Sequence, residues 1–599
     1  MPDDVIKDLH FPKAGIDLSQ AYSRQPNRPV GTAQYPQSPQ AGNQSSLISP
    51  TAPTYNTQYA RTTPVGINVR GYEATTQRLR GGSRCGISKY IATQVVGSRF
   101  IVQDLNIVVI DDAGSTITPS IQPPANPQPG GAVMSPPLPP RTPAAEPSQS
   151  GRVVTLVAVG QGNVYTATPA STTWTAAAVA AGLENPPLNF SGLVLSSVNQ
   201  QKIWYADGVH YVYYDPSDGT NGTVAKWPVA TTDLQGNPVT SVLPVDSKNN
   251  TPRIVETWRG RICLSGLIED PQNWFFSAVN QPGNFDYNPV NTTPTQAVAG
   301  NNSPLGNVGD VINSMCPYTD DVLVFFGNHT VWLMNGDPMA GGQIDLVSTA
   351  IGGTFGRCWC MDPYGNIYFM SNGQGIYVLV PGNAPQRISQ PIEQLLFNLD
   401  TGQYNIRLMW DDRFQGVHVL ISPLISPTTT THLFFEQRTG AWWQTQYADP
   451  RKNPIACVVM DGNSPQDRVP LHGSWLGYVY AIDPYATTDD GDPINSDVII
   501  GPLCTPNMDE MTLYELQAML GETSGEVNYS VYVGATPEEA LASEPVESGL
   551  WYPGRNASEH IHEAGHFVYI GLSSPNEWSM ESIRMRLGTR GKVRQRRSR

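Results

Sequence analysis

The stretch His560-Ile561-His562-Glu563-Ala564-Gly565-His566 sets His562, Glu563 and His566 in the spacing H-E-x-x-H. On a helix this pattern puts two imidazoles on one face to hold a zinc ion, with the glutamate as general base. The surroundings oppose a helix. A β-branched and aromatic run, "FVYIGL", follows at once; Pro553 and Gly554 precede as turn residues; Gly565 would weaken any helical turn. In a strand, residues four apart are separated by roughly 13 Å, too far for one ion. The next stretch offers only Glu577 and Glu581 as a third ligand. The sequence therefore predicts a strand or turn, with Glu559, His560, His562 and Glu563 as a polar edge and no metal site.

Other chemistry fares no better. The chain has no G-x-S-x-G elbow, no phosphate-binding G-x-x-x-x-G-K-[ST] loop and no dinucleotide fingerprint opening a helix. Asp489, Asp490 and Asp492 lack the alternation and the distal glutamate of a calcium loop. Asp320-Asp321 and Asp411-Asp412 stand at turns before strands, where a propeller glycosidase could use them, but nothing aims two of them at one point. The reading is a non-enzyme without a cofactor.

The elements that would position any of these groups are short strands. The 599 residues exceed one compact domain unless the fold is a large all-β closure or a repeat array. Only 15% are charged, while Gly (55) and Pro (53) are abundant, the composition of strands joined by turns. A net charge of -15 argues against general nucleic-acid binding, yet suits a wall that DNA must pass without sticking. The seven cysteines are odd in number and scattered; they read as free, mostly buried thiols of a chain made in a reducing cytoplasm. "MPDDVIKDLHF" has no apolar leader core, and no run of 18 apolar residues predicts a membrane span.

Along the chain, residues 1–62 form a polar N-terminal arm in which "DVIKDLHFP" and "GIDLSQAY" carry spaced apolar anchors. It is read as an arm ordering against a neighbouring subunit, with a disordered tail as the alternative. Residues 63–110 supply first strands entering the body, and 111–150 a Pro-rich insertion. From 151 to 500, strand pairs flank the turns Asp207-Gly208, Arg259-Gly260, Gly327-Asn328, Pro363 to Asn366 and Asn372 to Gly375. The interval of about 40 to 60 residues is a blade rhythm. It predicts an all-β fold: a β-propeller of roughly six or seven blades, with a string of β-sandwiches as the alternative. Residues 501–599 read as a small β-sandwich-like domain ending in the basic "GKVRQRRSR".

Two stretches carry a resemblance. The first is Asn68-Val69-Arg70 followed by Arg78-Leu79-Arg80-Gly81-Gly82-Ser83-Arg84 and Gly86. The second, from Leu323 to Leu379, is marked by Trp332, Gly336-Asp337-Pro338, Gly341-Gly342, Gly353, Gly356, Trp359, Asp362, Gly365-Asn366, Tyr368-Phe369 and Gly375-Ile376-Tyr377. Both resemble the β-propeller tail proteins that form the nozzle of short-tailed bacteriophages, the tail tubular B class. The resemblance implies a virion protein of the tail, assembled in the bacterial host cytoplasm. It implies a homo-hexameric ring below the adaptor that continues the DNA channel, retains the genome and supports tail fibres or spikes. Candidate subunit-interface or anchoring residues are Arg70, Arg78, Arg80 and Arg84, with Arg594, Arg596 and Arg597 in the tail. The arginines near the glycines could equally pair within their own chain. A competing reading is a propeller-type glycan-binding or glycan-degrading virion component, in which the 13 tryptophans and 26 tyrosines stack on sugars.

Overall fold

A computed structural model describes residues 5–19, 62–95, 101–111, 152–461, 468–504 and 509–589, apart from isolated positions within these spans. The chain is almost all strand. Among the described residues, seven four-stranded antiparallel units follow one another; that of blade 2 carries a fifth, parallel strand at its outer edge, and that of blade 6 is the start of a nine-stranded sheet. Blade 1 is Val102–Asp111, Arg152–Gly160, Asn163–Ala167 and Thr175–Ala176. Blade 2 runs from Leu195–Asn199 to Thr223–Lys226, blade 3 from Ile254–Trp258 to Val298–Ala299, and blade 4 from Ile312–Thr319 to Gln343–Ser348. Blade 5 runs from Trp359–Met361 to Gln386–Arg387, and blade 6 from Tyr404–Asp411 to Ala441–Thr445. Blade 7 takes Pro454–Met460, Val469–Ser474 and Val479–Ile482, and its outer strand is Ile87–Lys89 from far earlier in the chain. The first strand of blade 7 packs on the first strand of blade 1, so the ring is closed. This is a seven-bladed β-propeller.

The sequence explains the blades at two points. Each blade packs on a neighbour at both faces, so several middle strands are buried almost from end to end and read as unbroken apolar runs: "VLVFFG" (322–327), "IYFMS" (367–371) and "GIYVL" (375–379). The cores lie between blades, for example Phe326 of blade 4 against Phe369 of blade 5, with ring centroids 4.7 Å apart. The hairpins need left-handed backbone, and Arg259-Gly260 supplies it with φ of 52° and 70° between strands paired Trp258 to Arg261.

After blade 7 the chain builds a β-sandwich. One sheet continues blade 6 outward: Gly66–Ile67 lies between Ala441–Thr445 and Ser496–Leu503, followed by Phe567–Ser574, Val527–Gly534 and Glu547–Trp551. The facing sheet is Val5–Leu9, Met580–Thr589, Met511–Leu520 and Glu559–Gly565. Leu9, Phe11, Trp443, Leu516, Ile570, Trp578 and Leu587 share the core between them.

The structure moves three domain boundaries. The division at 500/501 falls inside Ser496–Leu503, which belongs to the sandwich. The span 63–110 is two things: residues 62–90, here called the strap, cross from the sandwich to blade 7, whereas Val102–Asp111 is the innermost strand of blade 1. The span 1–62 is not simply an arm. Val5–Leu9 is an edge strand of the sandwich, with Lys7 opposite Met585, and Phe11 and Ile16 are buried in the chain's own core. Both apolar patches read as anchors contribute to this packing, on the same subunit. Residues 20–61 and most of the Pro-rich insertion lie outside the described residues. The insertion's flanks, Asp111 and Arg152, are direct register partners, so it is carried by the first hairpin of blade 1.

Candidate functional site

The H-E-x-x-H residues lie on a sandwich edge. Glu559–Gly565 is a strand, paired with Met511–Leu520 through a bulge at which His562 takes φ of 63°. His562 is exposed and meets the Tyr514 ring edge-on at 5.6 Å. His566 stands beyond the strand's end, so the two imidazoles have strand spacing rather than a shared helical face.

The arginines of the strap have structural partners within the chain. Asn68, in left-handed conformation, is the hub. Its carboxamide oxygen accepts from Arg84 Nε (2.9 Å) and the Gln446 amide (2.9 Å), and its Nδ2 donates to Asn495 O (2.8 Å). Arg84 then grips Asp489 with two prongs, Nη1 to Oδ1 at 2.8 Å and Nη2 to Oδ2 at 2.5 Å. Burial works against the Arg84 charge, but Asp489 more than offsets it and holds its pKa above the ordinary arginine value. Arg80 pairs with Glu73 (2.6 Å) and with Glu581 of the sandwich (2.7 Å). Arg70 is buried over the Phe434 ring, 4.5 Å from its centroid, and donates to Val69 O and Thr445 Oγ1 at 2.8 Å each. Arg78 is exposed; its carbonyl accepts from the Glu73 amide. Arg70, Arg80 and Arg84 thus anchor the strap inside one subunit. Arg594, Arg596 and Arg597 lie outside the described residues.

The glycines of this stretch serve close approach. A Cβ on Gly82 would strike Trp578 O, and one on Gly86 would strike Thr488 O. The Ser83 amide donates to Trp578 O (3.0 Å), and the Trp578 amide to Ser83 Oγ (3.0 Å).

A second charged cluster was not foreseen. Asp104, Glu256 and Arg407 lie on the innermost strands of blades 1, 3 and 6, and Arg357 on the entry to blade 5. Arg407 Nη1 stands 3.4 Å from Asp104 Oδ1, and Arg357 Nε 3.3 Å from Glu256 Oε1. Arg357 Nη2 also donates to Ser196 O of blade 2 at 2.5 Å, and Ser196 Oγ donates to Asp104. Contacts from blade 5 to blades 2 and 3 must cross the propeller axis. The axis is therefore bridged by a charge-balanced quartet of two carboxylates and two guanidinium groups. Burial raises the pKa of both Asp104 and Glu256, and the neighbouring arginines oppose that rise. The signal in the sequence was a lone charge inside an apolar strand: Asp104 in "FIVQDLNIVVI" and Arg407 in "YNIRLMW".

Of the 13 tryptophans nine are buried and four half-buried, whereas Tyr364, Tyr485 and Tyr552 are exposed. Cys85, Cys263, Cys316, Cys358, Cys360 and Cys457 are free thiols, and among the described residues no helix is long and apolar enough to cross a membrane.

No family profile matches the chain, and no curated protein does. Solved structures similar to it include YCF48 bound to a D1 peptide, at 10% identity and a TM-score of 0.32 over 55% of this chain and 89% of that one. The extracellular domain of the one component system BT4673 from B. thetaiotaomicron matches at 10% identity and a TM-score of 0.34, over 68% of this chain and 51% of that one. BBS1N in complex with ARL6DN matches at 7% identity and a TM-score of 0.30, over 56% and 88%. Likeness at this level concerns fold alone.

Proposed function

We propose that this chain is a structural subunit of a bacteriophage tail, forming the nozzle ring that continues the DNA channel below the adaptor. The observation that carries the reading is the use made of the resembling stretch 68–86. Its arginines and glycines are spent on joining propeller to sandwich, which suits a subunit that must transmit force without coming apart. Charge supports the same reading. Six copies together carry roughly -90, and a wall of that sign lets a phosphate backbone slide. In this reading the ring docks on the adaptor above and offers its outer faces to fibres or spikes.

Electron microscopy of the purified protein, alone and mixed with its adaptor, tests the proposal. Six-fold rings, free or formed on the adaptor, are expected. Monomers that never dock would sink it.

A further inference from the structure

Where the strap passes between blades 6 and 7 it leaves a cavity of about 30 Å³, lined by Arg70, Arg84, His418, His432, Thr445 and Tyr447 among others. We propose that this cavity is a binding site for one small monovalent anion, a chloride ion, with Arg70 as its principal ligand.

The argument rests on charge accounting in a buried place. Arg70 is 7% exposed, and the acceptors it reaches, Val69 O and Thr445 Oγ1, are both neutral. A buried guanidinium in contact with no anion is among the most costly groups a core can hold. The neighbouring carboxylates are already engaged. Asp489 takes both prongs of Arg84. Asp411 faces His418 at 3.5 Å and Arg413 at 3.6 Å. Glu436 accepts from Thr439 Oγ1 at 2.9 Å; its charge is shared between Arg438 and Arg70 at a distance, and it makes no ion pair with Arg70. The imidazole of His432 adds no charge: its Nδ1 accepts from the Ile421 amide at 3.0 Å, which leaves the proton on Nε2, facing Asn453 Oδ1 at 3.1 Å. The lining is thus net positive and walled by Phe414, Leu420, Leu433 and Ile482. Such walls exclude competing water and strengthen an ion's attraction to the guanidinium.

Size selects the ligand. A space of about 30 Å³ is enough for one or two waters, or for one halide in their place. The bound ion would neutralise Arg70 and hold the strap against Thr445 of blade 6. This inference stands apart from the nozzle reading and survives its failure.

Thermal unfolding of the full chain in sodium chloride or bromide, against sodium gluconate at matched ionic strength, tests it. A saturable rise in Tm of about 2–4 °C in the halides alone is expected. R70M should lose that increment. A bromide-grown crystal of the unaltered protein gives a direct reading that needs no variant: an anomalous peak beside Arg70 supports the site. Water alone in the cavity, equal Tm in halide and gluconate, or an undiminished halide increment in R70M would each overturn it.

Discussion

Arg84 and His472 are both buried and differ in their partners: one is a charge with a full set of them, the other a polar ring whose nitrogens have no hydrogen-bond partner. Arg84 binds Asp489 bidentately, and both side chains are at most 5% exposed. Arg84→Met leaves the Asp489 carboxylate buried beside Lys452 with its main partner gone, and should cost about 3–5 kcal/mol in urea unfolding. The double variant with Asp489→Leu should recover much of that loss, which identifies the cost as an orphaned charge. His472 is fully buried among Tyr447 and Tyr480, and both its ring nitrogens lack a hydrogen-bond partner. Burial pulls its pKa down to about 3, and that of His432 to about 4. Both stay neutral while an unfolded chain's histidines protonate near pH 6.5. Their contribution to stability is therefore complete above about pH 6.5 and is lost progressively as pH falls toward 4 and then 3. His472→Phe should flatten this slope, measured as urea midpoint against pH, and leave stability at pH 7 equal or higher, because it removes two unsatisfied nitrogens.

At the scale of elements, the insertion and the strap behave oppositely although both looked like connecting segments. Val102–Asp111 and Arg152–Gly160 pair along their whole length, down to Asp111 opposite Arg152. The hairpin geometry is complete without the Pro-rich residues between them. Replacing 112–151 by Asn-Gly should leave the fold intact and raise unfolding stability by about 1–2 kcal/mol through a shorter closed loop. An unfolded or aggregated product would show that the insertion is needed for folding. The propeller was legible because its signals are local: alternation, apolar runs and turn pairs such as Arg259-Gly260 lie within 15 residues of each other. The H-E-x-x-H stretch reads as a strand or turn on the same basis. The role of the strap was not legible. Val5–Leu9 against Met580–Thr589, and Arg84 against Asp489, are pairings across hundreds of residues that no periodicity announces. The axial quartet was missed for the same reason. Three members are odd charges within apolar strands and Arg357 lies just before one, and they acquire meaning only when blades converge on one axis.

For the whole molecule, the bridged axis decides where a passage can run. The guanidinium of Arg357 reaches across to blades 2 and 3, so one propeller is a solid disc at that level and offers no path for a DNA duplex. A channel, in the nozzle reading, belongs to the ring of copies and is walled by their flanks. The ring within each subunit has a consequence in time as well. Blade 7 borrows its outer strand from Ile87–Lys89, whose partner Tyr480 comes about 390 residues later, and the first strand of the sandwich waits for a partner only a few residues from the end of the described chain. At roughly 5–20 residues per second on the ribosome, those early strands spend on the order of half a minute without their mates. Blades 1 to 6 are each made of consecutive strands, so the newborn chain carries two unmated early segments, and its fate during synthesis depends on what keeps those apart until their partners emerge.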